Sequence, residues 1–173
     1  QQRVLYFDFE LSDKQFQLRY SDEANNLNQF PDNLYRVEIN RDSLDSANFE
    51  EAVIGNIEQA AIKSGAKVLI IDNLTYLCIA SEKGDVAGAL MFRLMALKRI
   101  YGLSMLILAH TPKRCLSNPI TQNDLAGSKK LYNFFDSVFA IGKSAKDNSI
   151  RYIKQLKVRY GSYTYDADNV IVS

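Results

Sequence analysis

Histidine occurs once in these 173 residues, cysteine twice and tryptophan not at all. With a single imidazole, and with Cys78 and Cys115 far apart outside any paired motif, a zinc site is not expected and the cysteines read as reduced thiols. No apolar run approaches the roughly 20 residues that span a bilayer, so no membrane partner is expected. Charge of one sign is lacking too. The 21 basic and 20 acidic residues leave a net charge of +1, so any contact with a polyanion has to be local. The opening Gln1-Gln2-Arg3 runs straight into apolar residues without a secretory leader pattern, and with the thiols this gives an expectation of a cytoplasmic protein.

What is present is an alternation. Residues 3–9 read as a buried strand and 12–24 as a helix; Asn25-Asn26 and Pro31-Asp32-Asn33 punctuate before a short alternating strand from Leu34 to Ile39. Ser46 or Asn48 can cap a helix that Gly65 ends, with Phe49, Val53, Ile57, Ala60 and Ala61 on one face. "AKVLIIDN" (66–73) is a continuous apolar run of the kind buried on both faces of a parallel sheet. A helix from Asp85 to Gly102 leads to "LSMLILAHT" (103–111), read as a second buried strand, and "DSVFAIGK" (136–143) reads as a third. Residues 149–158 and 162–172 read as a terminal antiparallel pair. The expectation is one α/β domain over 1–173, a mostly parallel sheet flanked by helices with a C-terminal antiparallel hairpin.

Ligands in open parallel sheets bind at the carboxyl ends of the strands. The polar residues that end the apolar runs are Glu10, Asp72 with Asn73, His110 with Thr111, and, less sharply, Lys143. Each has an ordinary structural reading: a helix-start charge for Glu10, a turn for Asp72-Asn73, a satisfied histidine for His110. Together, at one edge of one sheet, they suit phosphoryl transfer. A carboxylate such as Asp72 can hold Mg²⁺ through water, and a neighbouring Glu can orient or deprotonate an attacking water.

The segment "FELSDKQFQLR" resembles the strand-to-helix segment of DnaB-type replicative helicases, through Glu10, Leu11, Ser12, Gln15, Phe16 and Arg19. "KVLIIDNLTYL" resembles the Walker B segment of RecA-like ATPases, "LILAHTPKR" their sensor strand, and "LAGSKKLYNFFDSVFAI" a segment of RepA-like plasmid helicases. "QLKVRYG" is similar to the Lys-x-Arg finger of DnaB-type and KaiC-type hexamers. The resemblance covers nearly the whole chain, in the family's order.

It implies a RecA-like core with ATP and Mg²⁺ as cofactors. Glu10 would polarise the hydrolytic water, Asp72 would be the Walker B carboxylate on Mg²⁺, and His110 the phosphate sensor, with Asn73 and Thr111 beside the nucleotide. Lys157 and Arg159 would reach the nucleotide site of a neighbouring subunit in a ring such as a hexamer; a solvated strand face is their ordinary reading. No Glu directly follows Asp72, which agrees with Glu10 supplying the base. The loops after the Walker B and sensor strands carry Lys83, Lys113, Arg114, Lys129 and Lys130, which could track single-stranded DNA without sequence preference. Against the family pattern, no G-x-x-x-x-G-K-[ST] loop is present, so the chain reads as a core truncated before its second strand. The alternatives are a non-hydrolysing RecA-like scaffold or DNA-binding module, and a KaiC- or RadA-like regulatory or repair ATPase.

Overall fold

The computed structural model describes residues 2–22, 26, 28–39, 49–75, 86–115, 117–125, 129–166 and 171–172, with the side chains of Glu50, Val86, Ala87, Lys129 and Lys130 left out. These residues gather into two compact units, 1–109 and 110–173.

In the first unit the expected alternation is realised. Strand β1 (Val4–Asp8) leads through helix α1 (Asp13–Arg19) to β2 (Leu34–Glu38); α2 (Phe49–Ser64) leads to β3 (Val68–Asp72), and α3 (Val86–Tyr101) to β4 (Ser104–Ile107). All four strands are parallel, in the order β2-β1-β3-β4. The fold is therefore α/β with an all-parallel sheet. Helix α1 is shorter than the pattern over 12–24 suggested and stops at Tyr20. Gly65 and Gly102 do end their helices, each at a positive φ (65° and 60°) that costs a Cβ-bearing residue. The proposed caps Ser46 and Asn48 lie outside the described residues.

Alternation along the strands sorts their residues to two faces. Leu5 and Phe7 of β1 stand in register with Leu69 and Ile71 of β3, and all four are buried. The buried residues of α2 (Val53, Ile54, Ile57, Ala61) and α3 (Leu90, Met91, Leu94, Leu97) complete this core, and the two helices pack on each other. Strand β4 departs from expectation. It is not buried on both faces: Ser104 and Leu106 are exposed while Met105 and Ile107 are half-buried.

The second unit holds a short 3₁₀ turn (Gln122–Asp124), helix α4 (Lys129–Tyr132) and the strands β5 (Ser137–Lys143), β6 (Arg151–Val158) and β7 (Ile171–Val172). These form an antiparallel sheet in the order β5-β6-β7. Residues 136–143 are thus not a third buried parallel strand. Phe139 and Ile141 share one exposed face of β5, and the run pairs with β6 through a register shift between Val138 and Phe139. Strand structure within 162–172 is confined, among the described residues, to β7.

One position in this sheet requires glycine for space. A Cβ on Gly142 would stand 2.1 Å from Cζ of Tyr152, its cross-strand partner, whose hydroxyl accepts the Ile120 N–H at 3.1 Å. Gly142→Ala is expected to displace that ring and to destabilise the second unit by about 1–3 kcal/mol, measurable as a lower denaturation midpoint. Wild-type stability would show that the Tyr152 ring moves at no cost.

Candidate active site

The sheet order places the site. From β1 the chain moves outward to β2, then returns across β1 to β3 and continues to β4. Right-handed crossovers put α1 on one face and α2 and α3 on the other. The connections therefore diverge between β1 and β3. At such a topological switch point a crevice opens beyond the carboxyl ends of the two strands.

The residues that end those strands are acidic. Asp8 of β1 is in register with Asp72 of β3, and the Phe9 N–H extends the ladder to the Asp72 carbonyl at 2.8 Å. The peptide bond from Asp72 to Asn73 is cis, and Asn73 is buried. Glu10 follows two residues after Asp8 and is exposed. Asp72 ends β3, and Glu10 lies two residues past the end of the neighbouring β1.

Three neighbours were not singled out from the sequence. The Tyr6 hydroxyl donates to Asp72 Oδ2 at 2.5 Å. Burial, followed by this hydrogen bond and the Asp72 charge, pushes the Tyr6 phenol well above the usual tyrosine range, so it remains a donor at neutral pH. Asp8 is 1% exposed, and its Oδ1 accepts the N–H groups of Glu10 (3.0 Å) and Leu11 (2.9 Å). Arg36 Nε donates to Asp8 Oδ2 at 3.0 Å, while the rest of the guanidinium binds Asp13 and the Leu11 carbonyl and lies 4.4 Å from the Phe16 ring centre. Burial alone would lower the Arg36 pKa; the hydrogen bonds to Asp8 and Asp13 outweigh it and raise it. A signal was present. Asp8 interrupts the apolar run "VLYFDF", and Arg36 interrupts "LYRV"; a charge inside a core strand needs a partner.

Ser12 and Gln15, part of the resemblance, also have a local role. Ser12 Oγ accepts the Gln15 N–H and Gln15 Oε1 accepts the Ser12 N–H, a capping box that starts α1.

Asp72 offers one carboxylate, with one oxygen held by Tyr6, and Asp8 is committed to Arg36 and two amides. Among the described residues no group of three or more His, Cys, Asp or Glu is placed to hold a metal ion. That donor set fits Mg²⁺, which keeps several waters and needs one or two carboxylates besides substrate phosphate.

The remaining predicted residues lie in the second unit or outside the described residues. His110, Thr111 and Lys113 are exposed. Arg114 is turned inward: its Nε meets Asp124 Oδ1 at 3.3 Å and it donates to the Asn118 carbonyl. Lys157 donates to the Tyr132 carbonyl at 2.9 Å, and burial, then the charge of Arg159, lowers its pKa. Arg159 pairs with Asp136 Oδ1 at 2.9 Å and donates to the Asn133 carbonyl at 3.0 Å. Both residues are thus anchored on the 132–136 segment of their own chain. Lys83 lies outside the described residues; Lys129 and Lys130 open α4, their side chains outside the description.

A parallel sheet with carboxylates at adjacent strand ends puts acidic groups where open α/β sheets bind ligands. Residues 1–115 match the family model of the AAA domain, and the chain belongs to that family. The family carries ATPase and helicase-like nucleotide-binding functions, with nucleotide and usually Mg²⁺ as ligands. No curated protein matches the chain. Among the described residues, no helix is long and apolar enough to cross a membrane.

Proposed function

We propose that the chain is the hydrolytic part of a DNA-associated motor ATPase of the DnaB/RepA type, working as a ring with ATP bound between subunits. The observation that supports this reading is the register of Asp8 with Asp72 on adjacent parallel strands, with Glu10 two residues beyond the end of the first. Bound ATP·Mg²⁺ supplies the phosphoryl group and the charge that neutralises it. Glu10 orients and deprotonates the attacking water, and Asp72, steadied by Tyr6, holds the hydrated ion. His110 senses the terminal phosphate, with Asn73 and Thr111 near the nucleotide. Arg159 and Lys157 exchange their contacts at 132–136 for the phosphates of the neighbouring subunit. Lys83, Lys113, Arg114, Lys129 and Lys130 meet single-stranded DNA through its backbone, so binding weakens steeply with salt.

The test is Mg²⁺-dependent phosphate release by the native full-length protein, alone and in mixed assemblies. Arg159→Ala is expected to abolish cooperative hydrolysis and to regain part of it when mixed with Glu10→Gln subunits, each supplying what the other lacks. Failure of mixing to rescue would sink the finger between subunits. No turnover by the wild-type protein would favour a non-hydrolysing scaffold instead.

A further inference from the structure

Asp8 has no role in the reading above, yet it is the most completely engaged carboxylate of the site. Its two oxygens face different ways. Oδ1 gathers the backbone N–H groups of Glu10 and Leu11, and Oδ2 receives Arg36. Arg36 in turn donates to the Leu11 carbonyl and to Asp13 and rests on Phe16. The turn carrying Glu10 is therefore tied from its amide side by Asp8 and from its carbonyl side by Arg36. The Glu10 side chain itself is exposed.

We propose that Asp8 is a positioning residue for Glu10: by accepting both amides of the turn after β1, it sets the direction in which the Glu10 carboxylate leaves the sheet. This rests on the reading of Glu10 as the base. A base misplaced by about 1 Å can lose on the order of 10²-fold in rate, so a fixed turn has catalytic value. An ordinary structural role predicts something else: lower stability, with turnover per folded molecule unchanged.

The experiment compares Asp8 variants in the native full-length protein. Asp8→Ala is expected to lower kcat about tenfold or more while the Kd for ATP stays unchanged. Asp8→Asn, which keeps an acceptor toward the two amides, should recover most of the rate. In a Glu10→Gln background Asp8→Ala should add no further loss, because it acts through Glu10. Hydrogen exchange at the Glu10 and Leu11 amides, read by NMR without turnover, should accelerate in Asp8→Ala and stay slow in Asp8→Asn. If Asp8→Ala does not fold, Asp8→Glu serves: it keeps the charge opposite Arg36 but moves the acceptor, and should also lose rate. Full turnover by these variants with Glu10→Gln inactive overturns the positioning and leaves the base standing. Normal turnover by Glu10→Gln removes the base, and the positioning falls with it.

Discussion

Glu10→Gln is expected to bind ATP as the wild type does and to hydrolyse it about 10²-fold more slowly or worse. The amide keeps the shape of the side chain but cannot accept the proton of the attacking water. At about 1.36 kcal/mol per tenfold, this removes roughly 2.7 kcal/mol of transition-state stabilisation and none of ground-state binding. The competing account, in which Glu10 merely favours the start of α1, predicts a different pattern. A charge near a helix N-terminus contributes about 0.3–1 kcal/mol to stability and nothing to turnover. Single-turnover phosphate release, with nucleotide affinity measured separately, distinguishes the two. Normal turnover would remove Glu10 from the mechanism.

The second large effect is on stability. Arg36→Met is expected to destabilise the first unit by about 3 kcal/mol or more, because it leaves the carboxylate of Asp8 buried without its cation. Asp8 is 1% exposed and Arg36 16%, so water can do little to replace the pair. The two backbone amides on Oδ1 remain and limit the loss. Methionine preserves the length of the stem over Phe16, which confines the change to charge and hydrogen bonding. The double variant Arg36→Met with Asp8→Asn should recover a large share of the stability, since a neutral amide needs no counter-charge. Urea denaturation checks this through a lowered midpoint at constant slope. An unchanged midpoint for Arg36→Met would mean that the buried ion pair contributes no net stability here.

Arg159 stands apart from these residues. Its contacts to Asp136 and to the Asn133 carbonyl lie on its own chain and are partly solvent-accessible, so they hold it with modest energy. Contacts of this kind can be released at small cost, and the mixed-assembly measurement tests whether Arg159 leaves them for a neighbouring subunit.

Much of this protein was determined locally. Continuous apolar runs marked β1 and β3, helical spacing marked α2 and α3, and Gly65 and Gly102 ended those helices where a positive φ was needed. Glu10 and Asp72 could be picked out because each closes such a run. Only the tertiary structure decided the strand order β2-β1-β3-β4, and with it the switch point that makes neighbours of those two strand ends. It also decided that Leu106 lies on an exposed face, and that residues 137–143 join a separate antiparallel sheet although their apolar run reads like a buried strand. The partnership of Asp8 with Arg36, 28 residues apart, belongs to the same class. The physical reason is common to all of these. Apolar periodicity and helix caps act over a turn or two of chain, whereas strand register and ion pairing join residues that only the folded sheet brings together.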